Sequence, residues 1–331
     1  MKSMEEKSFV KDLYLDEIRL GYLVTSQRKR LWNVQIKLIL EVARICRKHD
    51  IRWFAHGGTL LGAVRHKGFI PWDDDVDLLM LRPDYDKFMR VAPTELKPEF
   101  FLDNWINHRL EEESDFDQSI DDKFPSLSKE IVDDIRAKKR YWPLNAGYAK
   151  LRANDTTQIQ WSERRNVHQG IWIDIFPFDP TPPFDDPKDQ THFEIAKELF
   201  LAVGERPRVK KMLATNSEFV TPLDRLEAMI ELPFRDRARV YEEYLSKTFC
   251  NSRNVSWRTK FLFNRKFIAA YCFEKTIELP YELISLSCPA DYDGALTAWY
   301  GDWRKVLFYT VHDCVWSDNI SYKDYFAQVT R

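Results

Sequence analysis

The segment Pro71-Trp72-Asp73-Asp74-Asp75-Val76-Asp77 concentrates carboxylates just ahead of an apolar run, Leu78 to Leu81. A strand from Asp75 to Leu81 would project Asp75 and Asp77 from one face, since successive strand side chains alternate. Two carboxylates side by side repel, and they are costly to bury unless a cation neutralises them. Hard divalent cations with oxygen ligands, Mg²⁺ or Mn²⁺, suit such a pair, and Mg²⁺ completes its shell with water and substrate phosphates. The chemistry this implies is metal-dependent phosphoryl transfer. Asp174 is the third candidate, a lone carboxylate inside the apolar run Ile171 to Phe176. If its strand lies beside the Asp75 strand, three carboxylates converge to hold metal, or one accepts the proton of an attacking hydroxyl.

Gly57-Gly58-Thr59 supplies the other half of a phosphate site. Paired glycines let backbone N–H groups approach an anion, and the helix that follows offers its N-terminus. Arg65, His66 and Lys67 lie downstream as neutralising groups. Familiar alternatives fail. Position six of a calcium loop starting at Asp73 is Leu78 rather than Gly, and position twelve is Asp84 rather than Glu. No Gly-Lys-Ser/Thr follows Gly57, so a Walker A loop is absent. Plainer readings stay open: the acidic cluster as a solvated turn, Asp174 as a strand-end carboxylate bonded to backbone, and His312 as a core or surface histidine.

The elements that must position these groups follow from periodicity. Leu31, Val34, Leu38, Val42 and Ile45 mark an amphipathic helix over 31–49. Ile51 to Ala55 reads as a buried strand, and Thr59 as the cap of a short helix through Val64 that Lys67-Gly68 ends. Phe69 to Trp72 is a rigid loop; Arg82-Pro83 stops the Asp75 strand, and a helix runs from Asp84 to Val91. Residues 109–140 read as a charged, solvated insertion. Strands return at 148–152 and 170–177. The Pro- and Asp-rich stretch 177–189 reads as a linker. Helices are expected around 192–203, 223–230, 237–249 and 260–271. The expected architecture is α+β: an N-terminal extension (1–30), a catalytic core (31–180) and a helix-rich C-terminal part (181–331).

With 331 residues, 44% hydrophobic and 14% aromatic, the chain can bury a sizeable core. A net charge of −2 leaves no basic excess to hold a nucleic-acid backbone. Five scattered cysteines without a C-x-x-C pair speak against a zinc site or a disulfide framework. The N-terminus has no apolar signal core, and no run approaches the ~18 apolar residues of a membrane span. The expectation is a soluble cytoplasmic protein, with peripheral contact at the inner face of a membrane still open.

The run His56 to Asp77 closely resembles the signature of the LicD family, which includes bacterial phosphocholine transferases, fukutin and fukutin-related protein. Further matches are Tyr148 to Arg152, Gln169 to Pro177, and Tyr300-Gly301-Asp302-Trp303 followed by His312. The resemblance implies a nucleotidyltransferase core of the polymerase-beta type with a mixed sheet. It implies Asp75, Asp77 and Asp174 as catalytic metal ligands, and Gly57, Gly58, Thr59, Arg65, Lys150 and His312 as donor contacts. The implied reaction moves phosphocholine or a polyol phosphate from a CDP-linked donor, such as CDP-choline, to a glycan hydroxyl of lipopolysaccharide or teichoic acid, releasing CMP. One departure is that the scattered cysteines cannot supply the zinc insertion of fukutin-related protein. Trp299, Tyr300 and Trp303 offer a cation–π box for choline, with core packing as their alternative role. The rival reactions are NMP transfer from an NTP and glycosyl transfer; a non-catalytic binding protein on the same fold is the remaining alternative.

Overall fold

The computed structural model describes residues 15–104, 147–160, 168–181, 187–204, 206–248, 254–257, 268–306, 314–321 and 324. The insertion 109–140 and His312 lie outside them. The chain opens with a hairpin, β1 (Glu17–Arg19) and β2 (Tyr22–Val24), and then a long helix, α1 (Ser26–Lys48). Thr25 caps α1 by accepting the Arg28 amide at 3.2 Å. The helix begins five residues before the apolar periodicity does, because its first turns are polar and pack Arg28 and Lys29 inward. Residues 15–30 are therefore structured around this helix start.

Next come β3 (Phe54–Ala55), α2 (Gly57–His66), β4 (Asp77–Leu81), α3 (Arg82–Glu95) and β5 (Phe100–Asp103). After the insertion follow β6 (Ala149–Ala153), β7 (Thr157–Gln160) and β8 (Trp172–Thr181). The helix α2 ends where Lys67 turns left-handed. Proline 83 sits in the first turn of α3, where its missing N–H costs nothing, so the helix starts where the strand stops.

Strand β8 is the axis of a seven-stranded mixed sheet. It pairs in parallel with β4 and antiparallel with β6; β3 flanks β4 and β5 flanks β6. The expected linker 177–189 is a correction: β8 runs on to Thr181, because β9 (Asn254–Trp257) pairs with Phe178 to Thr181. That partner is too distant in sequence for local composition to reveal. Alternate positions of the sheet (Leu78, Ile173, Ile175, Ala149 and Leu151) are fully buried, and α1 and α3 pack on these strands.

Beyond the sheet, α4 (Pro187–Gly204), α5 (Arg206–Ala214), α6 (Leu223–Ile230) and α7 (Phe234–Thr248) build a second core around Phe200 and Tyr241. Strand structure then returns with β9, β10 (Ile268–Ala269), a 3₁₀ turn at Ala270–Phe273 and the hairpin β11 (Thr276–Tyr281) and β12 (Ile284–Pro289). Most of the described helix in the C-terminal part thus lies within 187–248. Residues 268–271, expected as the end of a helix, form a strand and a 3₁₀ turn, because Ile268 and Ala269 pair with β9. The described chain closes with α8 (Tyr292–Tyr300) and β13 (Cys314–Ser317), which pairs with β7.

Candidate functional site

Cross-strand neighbours share a face, and one row of the sheet is charged. Asp77 on β4 stands beside Asp174 on β8, Asp174 beside Lys150 on β6, and Lys150 beside Asp103 on β5. The Lys150 ammonium lies 2.9 Å from Asp174 Oδ1 and 4.1 Å from the centre of the Trp172 ring. One step along, Arg152 is buried against Asp103 at 3.0 Å. The convergence of Asp77 and Asp174 expected from sequence is therefore realised in register.

Asp75 reaches the site by another route than expected. Strand pairing begins at Asp77, and residues 73–75 form a loop held by side chains of α1. Arg28 and Trp32 donate to the Asp73 carbonyl at 2.7 and 3.1 Å, and Gln35 donates to the Asp74 carbonyl at 2.8 Å. Those carbonyls are spent on a helix rather than on a neighbouring strand, so strand alternation cannot orient Asp75. Oxygens of Asp73, Asp74 and Asp75 all lie within 4.8 Å of one another. Strand alternation singled out Asp75 and Asp77 and left the contribution of Asp73 and Asp74 unread. The missed signal was on α1: Arg28, Trp32 and Gln35 recur at helical spacing and put hydrogen-bonding groups on its buried face.

The glycine pair closes over the acids. Gly57 is left-handed at φ 54°, and a Cβ there would stand 2.8 Å from Asp77 Oδ2. A Cβ on Gly58 would stand 2.6 Å from Asp73 Oδ2. Neither position has room for a side chain while the carboxylates keep their places. The Thr59 hydroxyl accepts the Asp77 amide at 2.9 Å, and the His56 amide donates to the Asp77 carbonyl at 3.0 Å. Helix α2 and strand β4 are thereby locked together at the site.

The electrostatics are lopsided. Burial, then the fields of Asp75, Asp174 and Asp73, push the Asp77 carboxyl well above its usual range, and Lys150 pulls it back only in part. Tyr281, buried behind the cluster, is raised by burial and by the Asp73, Glu282, Asp75 and Asp77 charges. A set of hard oxygen donors with excess negative charge fits a divalent cation.

Other expected site residues are placed differently. Arg65 lies in the last turn of α2, ~12 Å along the axis from Gly57 at 1.5 Å per residue. Its guanidinium donates to the carbonyls of Trp303 and Lys305, both at 3.2 Å, so it is not gathered with the acids. Trp299, Tyr300 and Trp303 each have contacts of their own. The Trp303 indole donates to Asp293 at 3.0 Å, and Arg304 covers its ring at 4.4 Å. Trp299 packs edge-on against His56 at 4.6 Å, while the Tyr300 hydroxyl lies near Gly57. His56 itself went unremarked in the sequence. It is enclosed by Phe176, Phe178 and Trp299, and burial lowers its pKa to about 3. A separate cavity of about 270 Å³, lined by Arg82, Tyr85, Met89, Tyr148 and others, opens beyond Tyr148.

Together these features define an α+β domain with an acidic centre facing a glycine-opened helix start. Residues 50–123 match the family described as LicD/FKTN/FKRP, nucleotidyltransferase domain, so this stretch is similar to that family. A lipopolysaccharide cholinephosphotransferase LicD of Haemophilus influenzae is 53% identical over 47 residues, 14% of this chain and 18% of that protein. An uncharacterized protein of Rickettsia typhi is 38% identical over 68 residues, 20% of this chain and 21% of its own length. One of Rickettsia prowazekii is 37% identical over 57 residues, 17% and 21%. The chain thus spans about a fifth of the length of the curated relatives it matches.

Proposed function

We propose that this chain is a phosphotransferase that moves phosphocholine, or a related phospho-alcohol, from a CDP-linked donor to a glycan hydroxyl and releases CMP. The observation that carries this reading is the joining of Asp73, Asp75, Asp77 and Asp174 to a glycine pair with no room for a side chain. The cholinephosphotransferase named among the relatives supplies the substrate class.

Asp75, Asp77 and Asp174, with Asp73 beside them, would hold Mg²⁺ or Mn²⁺. Such an ion, when bound, neutralises the departing CMP and polarises the phosphorus. Strand register sets Asp77 beside Asp174, and α1 side chains hold the backbone carbonyl of Asp73. Backbone N–H groups at Gly58 and Thr59, at the start of α2, would receive the phosphates. Lys150 holds Asp174 in place and contributes positive charge. The glycan hydroxyl oxygen forms the new bond to phosphorus as its proton passes to a carboxylate, and the bond to the CMP oxygen breaks.

Incubating the protein with CDP-choline and a panel of CDP-polyols, with Mg²⁺ and a glycan acceptor, should release CMP. Release of pyrophosphate from an NTP, with no CMP from any CDP-alcohol, would replace this reading by nucleotidyl transfer.

A further inference from the structure

The N-terminal hairpin has its polarity inverted. In a strand with one solvated face, charged residues normally point out and apolar ones in. Here Glu17 and Arg19 turn inward. Glu17 pairs with Lys29 at 3.0 Å, and Arg19 reaches Glu282 at 2.6 and 3.2 Å while lying over the Trp32 ring. The outward positions are Ile18, 74% exposed, Leu20, 62%, and Leu23, 55%, joined by Leu15, 59%. Ile18 and Leu23 are register partners, so their side chains stand together.

The turn repeats the message. Leu20 and Gly21 connect the strands with φ of 50° and 76°, the two left-handed residues of a type I′ turn. Asn-Gly is the favoured pair there; leucine pays a steric cost to occupy the first position. That cost places an isobutyl group at the most protruding point of the hairpin.

We propose that this tip is a lipid-surface contact, with Leu15, Ile18, Leu20 and Leu23 entering the boundary between headgroups and acyl chains. Of the charged side chains on the described hairpin, Glu17 and Arg19 turn inward, and Asp16, exposed at its base, accepts the Ser26 amide at 2.6 Å. The four apolar side chains offer on the order of 300 Å² of apolar area, short of the ~800 Å² per partner that a stable protein interface buries. Shallow insertion into lipid has no such minimum. Among the described residues no helix is long and apolar enough to cross a membrane. The hairpin also adjoins the acidic site, because the Trp32 that underlies Arg19 donates, with Arg28, to the Asp73 carbonyl. This inference stands apart from the transferase reading.

The test is co-sedimentation of the full chain with phosphatidylcholine vesicles, which isolate the apolar contribution from charge. The wild type should pellet with the vesicles, and the triple variant Ile18→Thr, Leu20→Asn, Leu23→Thr should partition at least tenfold less. Its thermal melting should hold, since asparagine suits the turn and threonine suits strands. Should the triple variant melt early, Leu20→Asn alone should weaken partitioning about threefold, and Leu20→Trp should shift its emission to the blue with vesicles. A wild type left in the supernatant, or variants that bind equally well, would overturn the proposal. So would a wild-type dimer in sedimentation that the triple variant dissolves, which would assign the patch to a second copy.

Discussion

Asp174 and Asp179 share strand β8 and are both buried, yet their surroundings are opposite. Asp179 faces a partner made for it: Arg82 donates through Nε and Nη2 to its two oxygens at 2.7 and 2.9 Å. Arg82 also reaches Glu242 at 2.7 Å and lies over the Tyr85 ring, tying the sheet to α7. Asp174 has Lys150, but it stands among Asp73, Asp75 and Asp77, where burial, and then the Asp75, Asp174 and Asp73 charges, lift the Asp77 carboxyl. Five positions apart on a strand means opposite faces. One face uses a carboxylate to hold the fold together. The other gathers carboxylates at a cost to stability, as the proposed entry of a cation and phosphates would require.

The contrast can be broken from either side. The largest effect is expected on the acidic face: Asp77→Asn should lower CMP release about 1000-fold, on the scale of losing a charge-stabilising group in an active site. The same change relieves repulsion, so the variant should melt above the wild type without Mg²⁺ and gain less from adding it, as calorimetry would read. A variant that melts lower would sink the claim that this face is strained. On the other face Asp179→Asn should cost about 3 kcal/mol in urea unfolding, because it leaves Arg82 buried with part of its compensation gone.

His56 is a third case, buried with no need of a counter-charge because it stays neutral. The unfolded chain takes up this proton near pH 6.5, the folded one only near pH 3, so acid favours unfolding. From pH 6.5 to pH 5 stability should therefore fall by about 2 kcal/mol on this account. His66, lowered to about 4 by burial, Arg65 and Arg19, adds in the same direction. His56→Gln should flatten the slope measured by urea titration at several pH values, and an unchanged slope would remove His56 as its source. The smallest effect is Gly57→Ala, about 1 kcal/mol for a left-handed residue. It should also weaken Mg²⁺ binding, since the new Cβ displaces the Asp77 carboxylate.

Much of the acidic face was legible in the sequence, because its parts are local. An Asp-x-Asp before an apolar run, a glycine pair before a helix and a carboxylate inside a strand each announce themselves in a few residues. The balanced face was not, because Asp179 sits between prolines in what reads as a linker, and its partner Arg82 and the Glu242 that Arg82 also binds come from distant helices. The same limit explains Asp75, whose loop is set by α1 side chains, and Arg65, which serves the 303–305 carbonyls. The return of strands after 250 was hidden because β9 is ordered by pairing with the far end of β8. The inverted hairpin lies in residues that carry no site motif, and only burial distinguishes its two faces.

The parallel pairing of β4 with β8 also sets a schedule for the growing chain. Arg82 and Asp179, which fasten these strands together, are 97 residues apart, and loop closure over that span is a slow, entropically costly event. During synthesis the glycine pair and the Asp-x-Asp emerge long before the strand that completes their row. The stretch 50–123 that carries the family match ends before that strand begins. A nascent or truncated chain stopped there would display the signature while β4 still lacked its parallel neighbour. Such an intermediate exposes an open strand edge, a natural point for chaperones to engage.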